Sequence, residues 1–421
     1  MQNLTQTPEK RALGKPFFKF LTVHTLFLIM TTLPGIFINT FLMAQTDDIN
    51  IVLMYNGIFF IVGASTMVLA AYVLRRFNPG IVMVIGIVFY NMLYLILLIL
   101  QEDASQYFIL LGMVIGIADG FYWISYGTLL ATCTRLENRD KGLAVISISG
   151  SVVNLVVPLF SGFLISHISG TKGYLTVFGL AFSVALLTAC TALTLPKGQS
   201  AKEPVQYKNT FALIRKESCL QFGLLGQCGK GIREGTFTFI MGTLLFKLVQ
   251  NELLIGFNTF LSAIAAILSF AIVTRVLTRY NRAKYMGIAV CTLMVCNLLA
   301  LFMMSAATLI VFSVIDAFCT GFICNSCYST FLDSMHVVPE AAARAPELFA
   351  INDCVLAVGR CGGLAIMILV NILSGGKIVW LFAGVAILTG SQFMTLAISK
   401  KAAYHIEQRR TAVPLHKGVT P

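Results

Sequence analysis

Twelve apolar runs, each about 20 to 28 residues long and divided by short polar breaks, limit what this chain can become more than any other feature. They lie near residues 17–43, 50–74, 81–100, 107–133, 143–166, 174–195, 218–246, 253–278, 285–304, 307–332, 348–373 and 378–398. A helix rises about 1.5 Å per residue, so each run is long enough to cross the roughly 30 Å hydrocarbon core of a bilayer. Only 11% of the residues are charged and 57% are hydrophobic, where about a quarter are charged in soluble domains. The expected fold is an all-α membrane protein with twelve transmembrane helices. The first run is too long for the core of a cleavable signal peptide and is read as a retained span.

Basic residues orient the spans, because lysine and arginine concentrate on the cytoplasmic side. With the N-terminus inside, the inner segments hold twenty-four of the thirty lysines and arginines, and the outer loops hold only Lys172, Lys247 and Lys377. Both termini are therefore expected in the cytoplasm, and the +12 formal charge is a topology signal that gives no support to a nucleic-acid partner. The eleven cysteines fall almost entirely inside spans and predict no disulfide framework. Cys324 and Cys327 form a CxxC with no second pair nearby, which reads as helix packing and not as a metal site.

Charge inside a span is costly, at roughly 2.5 to 3.5 kcal/mol for a residue at the bilayer centre. Seven ionisable residues nevertheless lie well within spans: Asp119 in the fourth, Lys230, Arg233 and Glu234 in the seventh, Asp316 in the tenth, and Asp353 and Arg360 in the eleventh. They must face protein or a water-filled cavity. In the fourth span Asp119, Tyr122, Trp123 and Tyr126 stand at i, i+3, i+4 and i+7 and share a face. A carboxylate among aromatic rings suits a cationic or amphiphilic solute. The alternative is that Asp119 pairs internally with Arg233 or Lys230. In the seventh span Lys230, Arg233 and Glu234 form one polar patch, with the cations suited to an anionic group and Glu234 to a proton. Asp316 is a second proton-carrier candidate, against a helix-tethering hydrogen bond. Asp353 and Arg360 are seven apart on one face, suited to support or, for Arg360, substrate contact. Gly231 and Gly235 allow close helix approach or bending. His24 is placed near the cytoplasmic end of the first span as an interfacial residue, and Pro34-Gly35 predicts a kink.

The chain divides into a first six-span bundle (1–195), a hydrophilic linker (196–217), a second bundle (218–400) and a tail (401–421). The linker ends in a short amphipathic run, Phe211 to Arg215, suited to a membrane surface. The halves echo one another: Val73-Leu74-Arg75-Arg76-Phe77-Asn78 against Val276-Leu277-Thr278-Arg279-Tyr280-Asn281, and Gly120-Phe121 with Ser125 against Gly321-Phe322 with Ser326. Two six-helix halves, inner termini, a central linker and basic turns at Arg76 and Arg279 together resemble the major facilitator superfamily. Arg75 stands where that family's loop motif carries an acid. Pro158-Leu159-Phe160-Ser161-Gly162 resembles the family's antiporter motif, with Pro158 in a structural or gating role. Gly116 stands where many drug antiporters of the family carry an arginine. The resemblance implies that the first, fourth, seventh and tenth spans line a central cavity.

The sequence carries no Walker phosphate loop, HExxH or GxSxG, so neither an enzyme nor a cofactor is expected. The expected function is that of a secondary active transporter in the plasma membrane, acting as a monomer on a small organic solute with protons. Antiport and efflux are favoured on the fifth-span motif. Import of an anionic metabolite and lipid or glycolipid flipping remain as alternatives.

Overall fold

The computed structural model describes residues 13–74, 76–133, 139–168, 170–195, 206–303 and 305–412. These form fifteen α-helices: α1 (Lys15–Thr32), α2 (Gly35–Thr46), α3 (Ile49–Val73), α4 (Pro79–Leu100), α5 (Phe108–Cys133), α6 (Arg139–His167), α7 (Thr171–Ala192), α8 (Tyr207–Lys216), α9 (Ser218–Val249), α10 (Glu252–Val276), α11 (Arg282–Phe302), α12 (Ala306–His336), α13 (Pro339–Ala343), α14 (Ala345–Ser374) and α15 (Ile378–Ala412). A 3-10 turn, Gln101–Tyr107, joins α4 to α5. Among the described residues there is no strand. Arg75, Arg135 and the first part of the linker lie outside them.

The helix ends follow local chemistry. Asp48 caps α3 by accepting from the Asn50 amide at 2.9 Å. Asn78 caps α4 from the Gly80 amide at 3.1 Å, with Pro79 opening the helix. Ser305 and Thr308 form a reciprocal capping box at the start of α12, and Gly375, at φ 63°, closes α14 in the left-handed conformation. These caps satisfy end groups that have no partner in the helix. The first run is broken as expected: α1 stops at Thr32 and α2 restarts at Gly35, with Pro34 between.

Among the described residues, ten helical stretches are long and apolar enough to cross a membrane. One of them, Pro79–Leu130, contains both α4 and most of α5. The 32-residue α9 is outside the ten and carries Lys230, Arg233 and Glu234. Large apolar side chains cover the outer surface, among them Leu69, Ile99, Val358 and Leu373. In water such a surface would aggregate; against acyl chains it is the expected one. The chain is a multi-pass membrane protein.

The chain separates into two compact units, residues 1–203 with 239–264, and 204–238 with 265–421. In the first unit, α4 packs against α5 and α7, α3 lies along α5, and α1 runs beside α6 and α7. The α3–α5 contact is glycine-lined: a Cβ on Gly116 would meet the Val62 Cβ at 2.8 Å and the Phe59 carbonyl at 2.9 Å. One on Gly120 would meet the Thr66 Cβ at 2.7 Å. The position at which the family resemblance sought an arginine is thus closed by α3. On the other side of this unit, a Cβ on Gly162 of α6 would lie 2.7 Å from the Glu252 carbonyl, and one on Gly256 of α10 the same distance from that of Pro158.

The second unit repeats part of this arrangement. Here α11 packs against α12 and α15, as α4 does against α5 and α7. Gly321 of α12 faces Ser269 of α10, whose hydroxyl donates to the Phe318 carbonyl at 2.5 Å, as Gly120 faces Thr66. The Gly-Phe echo between the halves therefore marks equivalent tight crossings. The amphipathic linker helix α8 buries Leu213 in a cluster with Leu220, Leu224, Phe331 and Leu348. It is seated on the end of this unit as well as being amphipathic.

Candidate functional site

In the second unit, α9 presents its charges to two different neighbours. Lys230 and Glu234 are one turn apart and meet at 3.0 Å, from Nζ to Oε2. The other carboxylate oxygen of Glu234 accepts from Arg360 Nη2 of α14 at 2.5 Å. One carboxylate is thus held by two cations, all three partly buried. Arg233, next in sequence but about 100° around the helix, turns to α12. It forms an ion pair with Asp316, donates to Thr320 Oγ1 at 3.0 Å, and places its guanidinium carbon 4.2 Å from the Phe237 ring centre. Arg233 is 4% exposed and Asp316 9%. The patch that shares one helical face in sequence is therefore two networks: Lys230–Glu234–Arg360 and Arg233–Asp316–Thr320.

Glycines let α14 come this close. A Cβ on Gly231 would lie 2.5 Å from the Leu356 carbonyl, and one on Gly235 would lie 2.6 Å from Arg360 Cα. Reciprocally, Cβ atoms on Gly359 and Gly363 would land on the carbonyls of Cys228 and Ile232. Small residues four apart on both helices give a backbone-to-backbone contact of the kind that drives helix association in membranes. The same contact brings Arg360 to Glu234. Asp353, two turns from Arg360, accepts from Asn352 Nδ2 at 3.4 Å. Gln392 of α15 donates to the Gly229 carbonyl at 3.0 Å.

In the first unit, Asp119 Oδ1 accepts from the Trp123 indole at 2.8 Å and from the Tyr90 hydroxyl of α4 at 3.0 Å. Trp123 is 39% exposed. Tyr122 is fully buried, stacked on Phe27 of α1 with ring centres 3.3 Å apart. Its hydroxyl meets Nδ1 of His24 at 2.8 Å. Tyr126 packs against His24 as well, at 4.6 Å between ring centres. The four residues that share one face in sequence thus divide: Asp119 and Trp123 hold each other, and Tyr122 and Tyr126 enclose His24. Placing His24 at the interface is corrected here. It is 4% exposed and enclosed by rings from α1 and α5.

Arg76 is exposed at the turn after α3. Arg279 is exposed beside Tyr280, 5.9 Å from its ring centre. An ion pair that the sequence reading missed lies close to Arg279: Arg282 at the start of α11 meets Asp333 near the end of α12 at 2.7 Å. Its residues are 51 apart, and no periodicity within one helix signals such a pair. Asn39 of α2 accepts from Asn56 Nδ2 of α3 at 2.7 Å. Among the described residues, no group of three or more His, Cys, Asp or Glu could hold a metal ion.

Polytopic helices, tight glycine crossings and charges gathered inside spans define an integral membrane protein that holds ion pairs within its helical bundle. The sequence profile of the Major Facilitator Superfamily matches residues 17–346, and the chain belongs to that family. It is a transporter and not an enzyme. It is similar to the uncharacterized protein YqgE of Bacillus subtilis (strain 168), with 23% identity over 363 residues, covering 85% of this chain and 83% of that protein. Its fold is similar to that of the nucleoside transporter NupG, at a TM-score of 0.67 and 15% identity over 94% of this chain and 99% of the other. The D-xylose-proton symporter gives 0.65 and 14% identity over 96% and 99%. At these identities the two structures show a shared fold.

Proposed function

We propose that this protein is a proton-coupled secondary transporter of a small organic solute, with Glu234 as the exchangeable centre of its second unit. The observation that carries this reading is the double hold on Glu234 by Lys230 and Arg360. A carboxylate shared by two cations gives them up on either of two events. A proton on Glu234 removes its charge, and an anionic group on the solute competes for the same two cations. Either event frees Arg360 from α9 and loosens the contact at Gly235. Arg233 and Asp316 form a second ion pair beside this one, suited to a proton relay or to fixing α12.

Alternating access, twelve passes with both termini cytoplasmic, residence in the plasma membrane as a monomer, and the division at residues 195 and 218 complete the proposal. Counting α4 and α5 as separate passes and adding α9 supports the twelve. Efflux is favoured by the Pro158–Gly162 run, whose backbone packs against Gly256. In the first unit, Asp119 and Trp123 offer a carboxylate and an aromatic face to a cationic or amphiphilic solute.

The test is thermal stability of the purified protein with two ligand pools, organic anions and phosphorylated metabolites in one, lipophilic cations in the other. A ligand at about 100 times its Kd adds about 2.7 kcal/mol of stability. Stabilisation by the anion pool that is lost in Lys230→Ala and Arg360→Ala assigns the solute to the second unit. Stabilisation by the cation pool that is lost in Asp119→Asn assigns it to the first. Stabilisation that survives all three variants contradicts both assignments.

A further inference from the structure

The first unit contains a buried titratable group, His24, that lies outside the Lys230–Glu234–Arg360 network. His24 lies inside a box of rings: Phe20 and Phe27 from its own helix stack on it at 6.3 Å, Tyr122 stacks at 6.2 Å, and Tyr126 lies at 4.6 Å. Trp123 stands edge-on at 6.2 Å. Polar contact comes from Tyr122, whose hydroxyl sits 2.8 Å from Nδ1. Neutral imidazole can serve that bond either way, accepting the tyrosine hydrogen or donating its own. The imidazolium can only donate. A proton on His24 therefore fixes the direction of the bond and turns the buried Tyr122 hydrogen away from the ring. The Tyr126 ring, 4.6 Å away, is negative at its centre and attracts a cation.

Tyr122 is next to Trp123, and Trp123 holds Asp119 through its indole N–H. We infer that His24 is a proton-binding residue of the first unit, linked through Tyr122 and Trp123 to the carboxylate of Asp119. The inference takes its purpose from the transport reading, but its test needs no solute. The titratable groups facing His24 from α5 are Tyr122 and Tyr126, with Asp119 behind Trp123, and α1 itself carries Lys15 and Lys19 in its first turns. Tyr90 of α4 touches Phe27. Helix α2 contains no titratable residue. Helices α6 and α7 also run along α1. Their described titratable groups lie at helix ends: His167 closes α6, Lys172 and Tyr174 open α7, and Cys190 is exposed near its far end. The side chains of Arg139 to Lys141 are outside the described ones.

The chain has two tryptophans, Trp123 and Trp380, and Trp380 is exposed on α15, in the second unit. Protonated imidazole quenches indole emission at contact range, so Trp123 reports the state of His24. The experiment is a fluorescence titration of the full-length Trp380→Phe protein in nanodiscs, from about pH 8 to about pH 4, bracketing the ordinary imidazole value of about 6.5. The expected result is a one-proton quenching transition. It vanishes in His24→Gln, persists in Glu234→Gln, and moves to lower pH in Asp119→Asn, because the carboxylate held by Trp123 favours the imidazolium through the proposed link. If His24→Gln does not yield folded protein, Tyr122→Phe serves in its place and is expected to move the midpoint. No transition, one that survives His24→Gln, or a midpoint untouched by Tyr122→Phe would overturn the proton site. An unmoved midpoint in Asp119→Asn would overturn the link to the carboxylate.

Discussion

At Arg233, what a buried charge contributes depends on its partner staying in place. Arg233→Ala leaves Asp316 buried and unpaired, and breaking such a pair costs about 3 to 5 kcal/mol. Removing both, as Arg233→Met with Asp316→Leu, restores much of that loss, because the desolvation of both ions disappears as well. Exposed Arg275→Ala serves as the reference, with an expected change within about 0.5 kcal/mol. Thermal melts in detergent measure all three. A double variant as unstable as the single one would mean that the pair does not couple these helices. The positions of these residues inside spans were legible in the sequence, because charge within a long apolar run is conspicuous. Their partners were not. Spacing along a helix reports a shared face, but Arg233 and Glu234 are adjacent and diverge to α12 and α14. His24 was misplaced for a related reason: a lone histidine near the end of an apolar run carries no signal of the rings that enclose it.

Among the elements, the contact between α9 and α14 stands on glycines. Gly235→Val pushes a branched side chain against the Arg360 backbone and is expected to cost about 1 to 3 kcal/mol. Gly362→Ala, on the outer side of the same contact with nothing within 4 Å, is expected to cost nothing and to stabilise slightly through helix propensity. Melting temperatures of the two variants check this, and equal effects would mean that α14 does not pack against α9 at Gly235. The sequence showed the glycines of the seventh run and left open bending or close approach; the structure shows close approach, with Gly359 and Gly363 as the reciprocal pair. The same physics explains Gly116. A side chain there would enter α3, so the missing arginine reflects a packed crossing and says nothing about the substrate.

At the scale of the whole molecule, the helical membrane fold followed from run length and composition, and the repeat showed in two short echoes. The echo at Gly120 and Gly321 has a shared structural cause, a tight crossing onto Thr66 in one half and Ser269 in the other. Ion pairs across helices, such as Arg282 with Asp333, had no such trace, since they join residues far apart in sequence. The proposed topology makes a further prediction: reporters fused at either terminus are active only on the cytoplasmic side, and a periplasmic or external signal from either would invert it. The central claim is that Glu234 couples solute movement to protons. The measurement that tests it most directly compares wild type with Glu234→Gln in proteoliposomes, using the solute identified by the stability screen. The account predicts that the variant exchanges solute for solute but no longer accumulates it against a gradient when a proton gradient is imposed. Undiminished gradient-driven accumulation by Glu234→Gln would contradict it.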